Sequence, residues 1–402
     1  MSTSAVPSGQ SAKSKLKLTP VERRASVTLA LLFASRMLGL FLLTPIFAVA
    51  AVSIPGGNDA AKVGLALGAY GLTQAFLQIP LGMASDRYGR RPVIVFGMVL
   101  FIVGGVICAM AQNIDWIILG RVIQGLGAIS AAITAWVADA TRPEVRTRAM
   151  AMVGGSIGIS FAASLVLSPM LVGEFGLSGL FWAISLLGFV CLLIAAFVVP
   201  AVPRTKLPIV QARASDVLRH VDLLRLNFGV FCLHFILMAL FIVAPGLLAT
   251  LGGYDSANLW EVYLPVIVLS FVLMVPAVFY TETRRAHKVA LEIAVAGLVA
   301  VLALMPLASH SFFATVATLV GFFIAFNILE ALQPSLVSRV APPEYKGLAL
   351  GFYNTAQSLG IFLGGATGGL LASSGRSSAV FLLSSALAFV WFLTARGFRS
   401  PS

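Results

Sequence analysis

Charge is scarce. Asp, Glu, Lys and Arg make up 10% of the 402 residues, and the acids number only 15. A soluble domain carries about a quarter of its residues charged, so a water-facing surface is excluded for most of this chain. Cysteine is scarcer, with three residues. Cys108, Cys191 and Cys232 all fall inside apolar runs, which excludes a disulfide framework or a thiolate metal site and leaves them as packing residues. No CxxC, HExxH or Walker pattern occurs. No enzyme chemistry, metal set, cofactor cradle or ATP site therefore has a foothold.

Apolar surface is what the chain has in abundance, at 59% of residues. A bilayer-embedded bundle needs that much, because lipid solvates its outside as well. A crossing helix takes about 20 apolar residues. Twelve runs qualify: 27–50, 60–85, 92–111, 114–139, 148–172, 178–200, 226–250, 258–281, 289–308, 311–337, 347–371 and 376–396. They are too long for barrel strands, and helices satisfy their own backbone in lipid. The expected fold is an all-α membrane protein of twelve transmembrane helices in two six-helix, pseudo-symmetric halves.

The net charge of +12 is compatible with nucleic acid, but its placement points to lipid. Lys and Arg gather on one side, in Arg23 and Arg24, Arg87 to Arg91, Arg142 to Arg148, the 201–225 gap, Arg284 to Lys288, Arg339 and Lys346, and Arg396 and Arg399. The opposite side shows Lys62 and Arg376. By the positive-inside rule the basic side and both termini are cytoplasmic. The expected division is a tail at 1–26, a first half at 27–200, a linker at 201–225, a second half at 226–396 and a tail at 397–402. The first segment lacks a signal-peptide pattern. Part of the linker, Arg213 to Arg225, suits either a short interfacial helix or a loop.

The halves repeat. "FLLTP" with Pro45 in span 1 matches "FIVAP" with Pro245 in span 7, and Arg36 matches His234. "RPEVRTRAMAM" matches "PPEYKGLALGF", and "SLVLSPMLVG" in span 5 matches "GIFLGGATGG" in span 11. Six-plus-six duplication of this kind is a transporter architecture.

One polar turn interrupts the apolar pattern: "GMASDRYGRRP", Gly82 to Pro92, between spans 2 and 3. Gly82 and Gly89 admit close approach and unusual dihedrals, and Pro92 suits a helix start. Asp86, at a negative helix terminus, needs a cation or another helix's N-terminus. The turn resembles the signature of the major facilitator superfamily, G-x-x-x-D-R-x-G-R-R. "RVIQGLGA" in span 4, with Arg121, Gln124 and Gly125, resembles the R-x-x-Q-G motif of its drug:proton antiporters. "SLVLSPMLVG" resembles their span 5 motif but departs from it, with Ser164, Ser168 and Val172 where glycine is usual. "SRMLGLFLLTPI", "YGLTQAFLQIPLG" and "NFGVFCLHFILMALF" are similar to the YajR-like branch, whose extra soluble C-terminal domain is not expected in this chain. The resemblance implies a gating network of Gly82, Asp86, Arg87, Gly89, Arg90 and Arg91. In it Asp86 faces the start of span 11 near Gly347, and Arg90 reaches a buried Asp139. Arg142 is a rival partner for Asp139.

Ionisable groups within a bilayer are few and useful. Arg36, Arg121, His234 and Glu330 lie inside spans. Arg36, His234 and Glu330 are each about nine residues, or about 14 Å, from the basic end by the helical rise. Glu330 is the expected proton-coupling carboxylate, poised between desolvation and a nearby Arg36. His234 is the second candidate because its ordinary pKa lies near physiological pH, and Asp139 the third. Tyr70, Gln74 and Gln78 form one stripe of span 2. Asn327 shares a face with Glu330, and Tyr353, Asn354 and Gln357 share one on span 11. With Arg36 these are the expected substrate-binding residues, set against the plainer reading of interhelical hydrogen bonds. Trp136 and Phe326 are expected to pack.

Glycines four apart, Gly64 and Gly68, Gly154 and Gly158, and Gly360, Gly364 and Gly368, are expected where helices of the two halves cross closely.

The combined expectation is a proton-coupled exporter of drug-like or other small organic molecules in a bacterial inner membrane. It works as a monomer by alternating access, with no cofactor, no metal, and no partner beyond substrate, protons and lipid. Proton-coupled import of a metabolite and a non-transporting membrane sensor are the alternatives.

Overall fold

The computed structural model describes residues 18–200, 214–342 and 345–399. Every regular element among them is helical. Spans 1 to 4 are Pro20–Phe41 continued by Phe47–Ala50, Ala60–Tyr88, Arg90–Ala109, and Ile114–Leu126 continued by Ser130–Asp139. Spans 5 and 6 occupy the single stretch Pro143–Leu193. Spans 7 to 12 are Val221–Gly252, Trp260–Arg284, His287–Ala308, Phe312–Val340, Lys346–Ser373 and Ser377–Arg396. Ala214–Leu218 forms one helical turn before span 7; residues 201–213 of the expected linker and 1–17 of the expected tail lie outside the described residues.

Two expected boundaries are corrected. Span 1 begins at Pro20, inside the expected 1–26 tail. Thr19 caps it, its hydroxyl accepting from the Glu22 N–H, while the Glu22 carboxylate accepts from the Thr19 N–H at 2.8 Å. This capping box, with proline at the first helical position, was present in the sequence "TPVE". Span 7 begins at Val221, inside the expected linker, capped by His220.

Nine helical stretches among the described residues are long and apolar enough to cross a membrane. One of them, Met152–Val198, is 47 residues long, enough for two crossings. Gly176 divides it with φ 66°, a left-handed conformation open to glycine. Neighbouring contacts show that the chain reverses there. Ser160 and Ser168 donate to the carbonyls of Ala34 and Leu42, so span 5 runs parallel to span 1. Cys191 lies at the Leu32 carbonyl while Ile184 sits beside Gly39, so span 6 runs back. Spans 2 and 11 are absent from the nine because glycines and amides dilute them; they pack on each other and have little need of a lipid-facing surface.

The repeat is visible in packing. Where span 5 follows span 1, span 11 follows span 7 in parallel: Gly360, Gly364 and Gly368 sit on the backbone at Phe231, Phe235 and Ala239. These three glycines therefore pack inside the second half, which corrects their expected place between halves. The neighbouring stripe of span 11 makes that contact. Gly365 and Gly369 meet Gly64 and Gly68 of span 2, backbone to backbone. Gly154 and Gly158 correct the expectation further, since a Cβ on either would meet nothing within 4 Å.

The halves touch away from the basic end and part toward it. At the far end the Tyr263 hydroxyl of span 8 donates to the Pro45 carbonyl at 3.1 Å, and Gly173 of span 5 abuts Ala257. An aromatic plug lies inward of these. Phe161 packs edge-on to Phe41 at 5.1 Å and against Phe326 and Phe323 at 5.4 and 5.9 Å. Toward the basic end, Gly154 and Gly158 lie on the Phe161 face of span 5. Gly347 and Gly351 lie on the Asn354 face of span 11, and none of these four has a neighbour at its Cβ position.

Candidate functional site

At the basic end, Gly89 ends span 2 with φ 106°, and span 3 starts at the next residue. This tight joint brings Arg90 between two acids. It pairs with Asp86 one turn earlier and with Asp139 at 2.8 Å, and it donates to the Ser85 hydroxyl at 2.7 Å. Arg91 donates to the Val199 carbonyl at the end of span 6 and lies over the Trp136 ring. Arg87 stacks over Tyr88. Gly82 meets only Ala131, at ordinary contact distance.

Three expectations are corrected here. Asp86 turns to Arg90 and is 62% exposed, while Gly347 has no neighbour at its Cβ position; the parting of the halves separates them. Asp139 is 43% exposed rather than buried. Arg142 is no rival for it: its N–H and Nε donate to Glu22 Oε1 at 3.0 and 2.8 Å, and its Nη2 to Oε2 at 3.1 Å. Glu22 thus joins the start of span 1 to the joint between spans 4 and 5. Sequence reasoning missed this role because it placed Glu22 in the tail.

Deeper in the first half, three side chains interlock. Arg36 Nη1 donates to the Ser130 hydroxyl at 2.5 Å and Nη2 to the Tyr70 hydroxyl at 2.7 Å. Arg121 lies over the Tyr70 ring, 4.8 Å from its centre, and donates to Gln124 Oε1 at 3.0 Å. Both arginines are 1% exposed. Spans 2 and 4 approach closely at Gly125, where any Cβ would strike the Tyr70 carbonyl and Thr73. With span 1 starting at Pro20, Arg36 lies about 24 Å along the helix by its rise, deeper than expected. His234 lies about 20 Å along span 7, and Glu330 about 15 Å from the end of span 10.

In the second half His234 is fully buried. Its Nδ1 faces the Val230 carbonyl at 3.1 Å. A carbonyl only accepts, so Nδ1 carries the hydrogen and Nε2 accepts from the Gln357 amide at 2.7 Å. Glu330 Oε2 lies 3.7 Å from the same Nε2. The two proton-coupling candidates are thus neighbours. Arg36, expected near Glu330, is engaged in the first half instead. The Tyr353 hydroxyl and Glu330 Oε2 are buried without a hydrogen-bond partner. Asn327 donates to Ser270 at 3.2 Å.

Between the halves lies a small cleft lined by Gln74, Ser130, Asn354, Gln357 and Ser358, with Met37, Phe41 and Ile361 as its apolar wall. Of the expected substrate-binding residues it gathers Gln74, Asn354 and Gln357. Arg36 and Tyr70 stand behind Ser130, and Gln78, Asn327 and Tyr353 are buried among helices. Phe326 stacks on Phe322 and Trp136 is buried, as packing residues. The three cysteines are free and buried.

Residues 29–365 match the family model described as Major Facilitator Superfamily. The chain is 41% identical over 389 residues to the inner membrane transport protein YajR of Escherichia coli K12, covering 96% of this chain and 85% of that protein. It is 30% identical over 347 residues to the multidrug resistance protein MdtH of Aeromonas hydrophila, covering 83% and 82%. Among solved structures, it superposes on a bacterial homologue of the human lysosomal transporter Spinster, inward-facing and occupied. The TM-score is 0.73 at 14% identity, covering 96% of this chain and 98% of that one. It also superposes on the human organic anion transporter MFSD10 (TM-score 0.70, 20% identity, 94% and 100% covered).

Proposed function

Because the chain belongs to the major facilitator superfamily, a family of multi-pass secondary transporters rather than enzymes, we propose that it couples proton entry to export of drug-like or other small organic molecules. The six-span halves rock about the cleft in a bacterial inner membrane, with the basic end and both termini in the cytoplasm. Each proton entering down a potential of 100 mV supplies about 2.3 kcal/mol. The observation that carries this reading is the Glu330–His234 pair, 3.7 Å apart and joined through Gln357 to the wall of a cleft between the halves. The Glu330 Oε2 is buried without a hydrogen-bond partner, and in this reading it gains access to water, and exchanges its proton, as the halves rock. Glu330 is the coupling group in this reading, and His234 holds or passes the proton beside it. The basic-end latch of this reading is Asp86 meeting the start of span 11 when that end closes; its pair with Arg90, and that of Arg90 with Asp139, hold the loop in place within the first half. The multidrug resistance relative supports export.

Proton-coupled uptake is the second reading. It is favoured by Ser164 and Ser168, which replace the antiporter motif's glycines and fasten their hydroxyls to the carbonyls of Phe161 and Leu42. Vesicles holding the purified protein, given pH gradients of each sign and a compound library, decide the direction. Export predicts accumulation on the acid side. Uptake predicts accumulation on the alkaline side. Absence of flux under both gradients across the library would remove the transport assignment.

A further inference from the structure

We infer that the cleft between the halves takes a small amphipathic organic anion, whose charge is held by Arg36 through the Ser130 side of the cleft. The inference rests on the transport reading above and holds for either direction of flux.

The argument is one of unbalanced charge. Arg36 is 1% exposed, its two Nη groups meet the neutral hydroxyls of Ser130 and Tyr70, and its Nε has no partner. Arg121, equally buried, meets the Ala66 carbonyl, the Gln124 amide and the Tyr70 ring. Among the described residues, no carboxylate lies within ion-pair distance of either arginine. A guanidinium out of water and out of reach of an anion is costly, and its field is weakly screened in a low dielectric. The first half therefore sets two fixed cations behind one wall of the cleft. Ser130 belongs to that wall and is itself bonded to Arg36, so a ligand there lies one hydroxyl away from the guanidinium.

The rest of the cleft suits the same class. Gln74, Asn354 and Gln357 offer amide donors, and Met37, Phe41 and Ile361 offer an apolar seat. The acid of the second half, Glu330, stands behind Gln357 and His234. A lipophilic cation would meet the Arg36 field first. A carboxylate on an apolar body gains from that field and leaves its body on the phenylalanine and methionine side.

The test uses the full chain purified in detergent, read by its thermal unfolding midpoint with salicylate or benzoate, and with tetraphenylphosphonium as a cation of similar apolarity. Salicylate or benzoate should raise the midpoint and the cation should not. Arg36→Gln should weaken the anion's apparent affinity about 10- to 100-fold. Ser130→Asp gives Arg36 an internal carboxylate; that variant should fold at least as stably as the parent and lose the anion. If Ser130→Asp does not fold, Arg36→Lys decides: anion binding clearly tighter than in Arg36→Gln supports the inference, because the charge is kept, and a loss as deep as that of Arg36→Gln overturns it. The inference is also overturned by normal anion binding in folded Ser130→Asp, by stabilisation with the cation alone, or by no response to either anion. In that last case, proton-driven flux of another compound leaves the transport reading standing, and absence of driven flux removes it too.

Discussion

Gly64→Ala should move the protein between its two open states. A Cβ at Gly64 would lie 2.8 Å from the Gly369 Cα and 3.0 Å from its nitrogen, and closer still to the Gly365 carbonyl oxygen. Ordinary carbon contacts begin at about 3.5 Å, so spans 2 and 11 must part by at least about 0.7 Å. Neither partner is a side chain that can swing away. Overpacking of this kind costs about 1–3 kcal/mol, or about 5- to 150-fold in an equilibrium. The crossing lies in the part of the molecule where the halves touch, so the strain falls on the state open at the basic end and is relieved when the far end opens. A cysteine at Gly158, whose surroundings are open, reports the state through its rate of maleimide labelling; the native cysteines are buried. Gly64→Ala should slow that labelling at least about fivefold and reduce flux. Gly154→Ala is the matched control, because its Cβ meets nothing within 4 Å and labelling should not change. Unchanged labelling and flux in a well-folded Gly64→Ala protein would refute the idea that this crossing opens and closes.

Three further outcomes are expected. Glu330→Gln should abolish transport driven by a pH gradient while leaving exchange at equal pH partly intact; survival of driven transport there, with its loss in His234→Ala, reassigns the coupling to the histidine, and survival in both directs attention to Asp139. Asp86→Asn, which removes the charge proposed to meet the start of span 11 when the basic end closes, should increase basic-end labelling at the Gly158 cysteine and lower flux; no change in either removes the latch. Glu22→Gln loses the charge that Arg142 and the Thr19 cap share, and should cost about 1–2 kcal/mol, read as a lower unfolding midpoint in detergent.

The spans, their order and their repeat were legible because hydropathy and basic residues are properties of the chain alone. Glu330 and His234 were legible as candidates because ionisable groups in apolar runs stand out. Their adjacency was not, since it depends on how spans 7 and 10 face each other. Glycine spacing was legible as close packing but not as a partner: Gly364 and Gly365 are consecutive, yet one meets Phe235 of its own half and the other Gly68 of the opposite half. A residue step of about 100° around a helix changes the neighbour entirely. Arg142 pairs with Glu22 rather than Asp139 because the capping box starts span 1 earlier than hydropathy suggests.

The polar, glycine-rich surface shared by spans 2 and 11 also sets a timetable for biosynthesis. Span 2 emerges from the ribosome early, and the face it will use belongs to a helix about 300 residues later. At 5–20 residues per second, span 2 waits about 15–60 s for that partner. Through that interval the Gly64 and Gly68 backbone lies against lipid or a membrane chaperone, in a helix whose own hydropathy holds it only weakly in the bilayer. A chain stalled before span 11 therefore displays an unfinished seam, a feature that membrane quality-control proteases can recognise.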